Sequence, residues 1–195
     1  MAVSRRDHLV QTALALFCRD GFRATGIDRV LKESGVAKKT LYNHFGSKEA
    51  LIIAALEKRD QEFLAKIRAT IRRLAPQQSG DPRLYPVLAF FDGLDEWFNG
   101  GNFTGCTFIN ASAEYPKVES PVHRACQAHK TLIIETLESL LADLPVDQRR
   151  TLACQMALLA DGATVSAHTT GDLSAARLAK QAARRLLESF LREST

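Results

Sequence analysis

No apolar run in this chain approaches the ~18 residues that a membrane-crossing helix needs, and there is no signal-peptide pattern, low-complexity tract or repeat of fixed period. A cytoplasmic protein without a membrane partner is expected. Cysteine is scarce and scattered: Cys18, Cys106, Cys126 and Cys154 fall singly in helical patterns with no CxxC pair, which argues for reduced, mostly buried thiols. Enzyme signatures are missing as well, with no nucleophile elbow, phosphate loop, Rossmann fingerprint or HExxH run. Asp161, Ser166 and His168 can be drawn as a triad, yet they lie in a helical stretch where packing explains them better. Neither an enzyme nor a cofactor is expected.

What is present is apolar content of 46% in 195 residues, enough for one large or two small globular domains. The net charge of +4 is unevenly spread. Residues 1 to 48 hold nine of the 26 Lys and Arg against four of the 22 acids, a net of +5, which leaves 17 bases and 18 acids for the remainder. A basic head on a neutral body is the electrostatic footprint of a domain that reads DNA, attached to a part with another task.

The head explains its charge through the stretch from Thr25 to Leu51. Thr25, with Asp28 three residues on, reads as a helix cap, and Ile27, Val30 and Leu31 give one apolar face before Gly35 ends the helix. A second helix over Ala37 to Phe45 turns Ala37, Leu41 and Phe45 inward and Lys39 and Asn43 directly outward, with Thr40 and Tyr42 flanking and Lys38 and His44 nearer the seam. Two helices joined by so short a turn form a helix-turn-helix. Lys39, Thr40 and Asn43 suit groove contacts, while Thr25, Lys38, Tyr42, His44 and Lys48 suit phosphate. Gly46 closes the helix and Ser47 caps the next, placing Lys48 at a new helix N-terminus, a natural phosphate site. A preceding helix from Ser4 to Arg19, with Asp7 at the capping-box position, buries Val10, Ala13, Leu14 and Phe17. Phe22 plugs the small core, and Arg5 and Arg6 either reach phosphate or are solvated.

These residues carry a resemblance. TLYNHFGSKEAL, preceded by IDRVLKESGVAKK and by RRDHLVQTALALFCRDGF, strongly resembles the N-terminal domain of the TetR family of bacterial transcriptional regulators. It covers roughly the first quarter of the chain, and many coordinated positions match. The resemblance implies an all-α fold of about nine helices: a three-helix DNA-binding domain at 1–48 and a ligand-binding and dimerisation domain at 49–195, linked by a long helix from about 47 to 74. It also implies a homodimer and, by what the family usually does, a repressor that a small effector releases from its operator.

The rest of the chain stays helical by its own pattern: Leu84 to Phe98, Phe103 to about Ala113, Pro121 to Leu141, Val146 to Thr169 and Leu173 to Leu191. The last two, about 146–169 and 173–191, are rich in alanine and allow close approach, either within the chain or across a homodimer's four-helix bundle, as the resemblance implies. A symmetric dimer also suits successive major grooves about 34 Å apart on a pseudo-palindromic site.

The middle region concentrates Phe90, Phe91, Trp97, Phe98, Phe103 and Phe108, either solid core or the wall of an effector cavity. With Phe63 from the linking helix, and Asn110 and Glu114 on one helix face, the set Phe63, Phe91, Trp97, Phe98, Phe103, Phe108, Asn110 and Glu114 is the candidate site for a hydrophobic or aromatic small molecule. Asn110 and Glu114 serve equally well as backbone caps. The run Gly105 to Pro116 also resembles a stretch of one branch of the family. His123, Cys126 and His129 recur every three residues, but the outer two stand about 9 Å apart along a helix axis, so no metal is expected. Redox sensing through Cys106 or Cys126 is an alternative reading of the regulator, and a ligand-binding protein without specific DNA binding is a second.

Overall fold

The computed structural model describes residues 4–193, and among them are nine α-helices and no strand. The helices are α1 (Arg5–Asp20), α2 (Ile27–Ser34), α3 (Lys38–His44), α4 (Lys48–Leu74), α5 (Tyr85–Phe98), α6 (Thr107–Glu114), α7 (Pro121–Leu140), α8 (Val146–Thr170) and α9 (Ala175–Glu193). An all-α architecture is what the 3.6-residue periodicity predicts. α4 stops where Pro76 enters a short 3-10 turn at Ala75–Gln77, since proline lacks the amide that the helix would need.

Packing divides the chain into two compact units, one of residues 1–63 with 106–129 and the other of 64–105 with 130–195. This division is discontinuous, unlike the linear split at residue 48. In the first unit Leu9, Ala13, Phe17, Phe22, Val30, Leu41, Leu51 and Ile52 share one core with Phe108, Ala111, Val122 and Cys126. Helix α6 and the first turns of α7 therefore belong to the same packing unit as the three N-terminal helices.

Local chemistry sets most helix ends. Ser4 Oγ accepts the Asp7 N–H at 3.0 Å, the expected cap, and the Asp7 carboxylate returns to the Ser4 hydroxyl at 2.7 Å. Phe22 stacks on Phe17 with ring centroids 5.1 Å apart and is almost wholly buried. Gly35 ends α2 in the left-handed region at φ 65°, a conformation glycine adopts without steric cost. Ser47 Oγ accepts the Ala50 N–H at 3.1 Å and so caps α4.

Three expected ends move. α2 is capped by Gly26 with no side-chain bond. Thr25 instead turns inward, donating to Gly21 O at 2.7 Å, and Asp28 pairs loosely with Lys38 at 3.7 Å. α3 ends at His44, one residue before Phe45, whose buried ring draws the backbone into an extended conformation ahead of Gly46. α6 starts at Thr107 and not at Phe103, because Gly105 has φ 79° and lies against the His168 ring, which keeps the chain out of a helix there.

In the second unit α5 packs against both α8 and α9, and α8 packs against α9. Lys180 on α9 bonds both oxygens of Asp92 on α5 at 2.7 Å, and Arg177 meets Asp95 at 3.0 Å. Ala153, Ala160, Ala163 and Ala167 on α8 and Ala176, Ala179 and Ala183 on α9 are buried, so small side chains do allow the close approach read from the composition.

Candidate nucleic-acid interface

Helix α3 is seven residues long and buries only Leu41, which anchors it through the same core as Val30 and Phe45. The remainder of its surface is polar. Lys38, Lys39, Asn43 and His44 are exposed, Tyr42 is 48% exposed, and Thr40 is half-buried at the edge. A phenol ring left half in water, beside two amines and an amide, is what a surface awaiting a polar partner looks like. Asn43 offers a donor and an acceptor side by side, the pair that reads an adenine edge.

The flanks differ from the expectation. Thr25 is 1% exposed with its hydroxyl committed to Gly21 O, so it faces the protein interior and not a phosphate. Lys48 is half-buried and donates to Arg23 O at 3.0 Å. Burial lowers its pKa first and the Arg23 charge adds to that, while the nearby Glu114 carboxylate works in the opposite direction. Arg6 lies over the Phe45 ring at 5.3 Å and Arg23 over Tyr115 at 5.4 Å, both cation–π contacts on the basic head.

Glu114 has a role that sequence separation hides. Its two carboxylate oxygens accept the Phe22 N–H at 2.9 Å and the Arg23 N–H at 2.6 Å, clamping the turn between α1 and α2 from the end of α6. It is therefore the backbone cap and not the ligand group of the two readings open for it.

The remaining candidates for an effector site fall into both units. In the first unit Phe108 stacks flat on His129 at 3.5 Å and Phe63 meets the same imidazole edge-on at 5.9 Å, while Asn110 stands on α6. In the second, Trp97, Phe98 and Phe103 pack on one another with centroids 4.7 to 5.5 Å apart, and Phe91 sits fully buried against Phe90. Phe91 and Phe98 belong to the buried core, while Trp97 and Phe103 are half-buried beside it. A cavity of about 440 Å³ opens in the second unit between α4 and α7, lined by Arg68, Ile71, Arg72, Leu132, Glu135, Thr136, Ser139 and Leu140, none of them in the expected set.

His123 bonds Tyr115 O through Nδ1 at 2.8 Å and His129 bonds Asp60 through Nδ1 at 2.6 Å, and no group of three potential ligands placed for a metal occurs among the described residues. Asp161 pairs with Lys130 at 2.5 Å while His168 faces Phe103 and Gly105, so the paper triad is not assembled.

Comparison with known proteins places this geometry. The profile of the bacterial regulatory proteins of the tetR family matches residues 9–55, the head that carries α1 to α3. The crystal structure of SCO4454, a TetR-family transcriptional regulator from Streptomyces coelicolor, superposes with a TM-score of 0.80 and 30% identity over 95% of this chain and 89% of that one. The chain belongs to the TetR family. Other relatives are named as regulators too. The transcriptional regulator YjdC of Escherichia coli is 27% identical over 158 residues, covering 81% of this chain and 80% of YjdC. The transcriptional repressor NemR of Escherichia coli is 27% identical over 138 residues, 70% of this chain and 66% of NemR. This TetR-family protein is thus a helix-turn-helix transcriptional regulator and not an enzyme. No helix among its described residues is long and apolar enough to cross a membrane.

Proposed function

We propose that this regulator is a homodimeric repressor that leaves a pseudo-palindromic operator when a small hydrophobic or aromatic effector binds its helical body. The observation that carries the DNA half is the outer face of α3, where Lys38, Lys39, Tyr42, Asn43 and His44 are exposed on a helix held by a single buried leucine. Lys39, Thr40 and Asn43 make the groove contacts in this reading. Lys38, Tyr42, His44 and Lys48 meet phosphate, Lys48 from the start of α4.

A dimer supplies the second α3. Its interface in this reading is the outer face of α8 and α9, where Leu158 is 72%, Val165 43% and Leu178 59% exposed, with Gly162 open between the first two. Apolar side chains at such spacing along adjacent helices leave water most favourably against a copy of themselves. Repression is supported by the name of the relative NemR. For the effector, the cleft beside Ile71, Leu132 and Leu140 is one space that the body offers. Binding there acts only if the ligand prefers one of two dimer geometries, since equal affinity for both shifts nothing.

The test is a titration against DNA flanking the protein's own gene at two salt concentrations with nonspecific competitor. Saturable, competitor-resistant binding at one inverted repeat supports the reading. Lys39→Ala then weakens that binding, whereas Asn43→Ala alters sequence preference by about 1–3 kcal/mol at one base pair. Binding that competitor and moderate salt both abolish, or two folded variants that bind as wild type, overturns it.

A further inference from the structure

The cleft between α4 and α7 in the second unit has a lining that packing alone does not require. Its floor is apolar, with Ile71 from α4 and Leu132 and Leu140 from α7. Its α4 side is cationic. Arg68 and Arg72 stand four residues apart on one face of the helix, and both are exposed. Among the described residues neither makes an ion pair, whereas Arg73, the next residue along, holds Glu96 at 2.6 Å, and Arg83, Arg150 and Arg177 of the same unit each hold a carboxylate as well. Like charges at that spacing mildly destabilise a helix, so two guanidiniums kept together without an acid are placed for an anion from outside.

The α7 side has the opposite character. Thr136 Oγ1 donates to Leu132 O at 2.8 Å and Ser139 Oγ donates to Thr136 O at 2.6 Å, so each hydroxyl has spent its only proton on its own helix and has lone pairs left to offer. Glu135, exposed on the same helix, adds a carboxylate to the lining. Donors for an anion therefore come from α4. Two guanidiniums against one carboxylate leave the lining at a net charge of +1, which one negative charge cancels and two overshoot.

We propose that this cleft binds a small amphipathic monocarboxylate, its head bonded by Arg68 and Arg72 and its hydrocarbon body lying over Ile71, Leu132 and Leu140. The volume of about 440 Å³ falls among those of small-molecule sites, about 300–1,000 Å³. A carboxylate matches the planar fork of a guanidinium, and two such forks on one helix face hold it from the same side. A dianionic phosphate ester brings excess charge beside Glu135, and a cationic amphiphile meets two like charges. Such a carboxylate is an effector class for the regulator reading above, and only its consequence at DNA rests on that reading. Helix α4 is continuous from Lys48 to Leu74, so a ligand that ties it to α7 acts on the helix whose first turn follows α3.

The experiment titrates the full-length protein with sodium decanoate by isothermal titration calorimetry, with decanamide and decylammonium as the neutral and cationic counterparts of the same chain. Decanoate is expected to bind about 10-fold more tightly than decanamide and to weaken as salt rises from about 0.05 M to about 0.5 M. Arg68→Gln and Arg72→Gln, both at exposed positions and checked by circular dichroism, are each expected to weaken decanoate about 10-fold and to leave decanamide unchanged. Ser139→Trp fills the cleft from an exposed position and is expected to weaken both. Decanoate that shows no binding up to about 1 mM, that binds no better than decanamide or decylammonium, or that binds these folded variants as it binds wild type overturns the assignment. Operator titration in saturating decanoate is then expected to show roughly 10-fold weaker binding. Decanoate held in the cleft with operator affinity unchanged overturns its role as effector and leaves the site standing, while a protein that binds no operator even without decanoate sinks the regulator reading alone.

Discussion

Replacing Glu114 tests whether the head is held from α6. Its carboxylate accepts two backbone amides, Phe22 at 2.9 Å and Arg23 at 2.6 Å, across 92 and 91 residues of chain. A hydrogen bond to a charged group contributes about 1.5–3 kcal/mol. Arg23 is exposed, so water recovers much of its half, and we expect Glu114→Ala to cost about 2 kcal/mol in all. For a chain of this size that lowers Tm by roughly 4–8 °C. Glu114→Gln is intermediate, because its amide oxygen accepts one N–H while its NH₂ confronts the other. Thermal melting followed by circular dichroism gives the size of the effect, and amide hydrogen exchange gives its location, with Phe22 and Arg23 protected in the wild type and fast in Glu114→Ala. A variant that melts within about 1 °C of wild type and leaves both amides protected would refute the clamp.

Gly105→Ala forces a side chain onto a residue at φ 79° and a Cβ to 2.9 Å from His168 Cγ, so a loss of about 1–3 kcal/mol in urea unfolding is expected. Leu158→Glu places a carboxylate on the most exposed apolar position of α8 and should convert a dimer to a monomer in light scattering, while an unchanged mass removes that face from the interface. His129 gives a pH signature. Burial pulls its pKa down, but the Asp60 and Cys106 hydrogen bonds outweigh burial and the net direction is up. A raised folded pKa stabilises below the unfolded value of about 6.5, and that stability is lost as pH rises through the folded value. The ring bonds Asp60 from α4, and the uncharged Phe63 and Phe108 pack on it. The wild type's advantage over His129→Gln is therefore expected to shrink as pH rises from the unfolded value through the raised folded one, and a pH-independent difference would count against the raised pKa.

What was legible in the sequence was local. The Ser4–Asp7 box, the Gly35 exit and the Ser47 cap each need only residues three or four apart, and the Leu41–Phe45 stripe needs one helix turn. Thr25 shows the limit within that range. A threonine ahead of a helix can cap forward or bond back, and the Gly21 carbonyl four residues earlier won. Other features lay beyond any periodicity. The start of α6 depends on His168, 63 residues from Gly105, and the carboxylate of Glu114 is consumed at the far end of the first unit's sequence. Aromatic count alone does not tell a cavity wall from a cluster of rings in the middle region, because rings attract one another as readily as they line a space, and Trp97, Phe98 and Phe103 do pack on one another.

The core beneath the DNA-reading helices is completed by Phe108, Ala111, Val122 and Cys126, residues encoded well after the head has ended. Head and body are consequently not interchangeable cassettes. A chimera that joins residues 1–63 to another regulator's body would meet that body's own α6 with Phe17, Phe22 and Leu56 shaped for this one, and successful grafts must transplant residues 106–129 together with the head. Recombination between relatives is constrained in the same way: exchanges that preserve this non-contiguous pair of segments keep a folded reader, and crossovers between them do not.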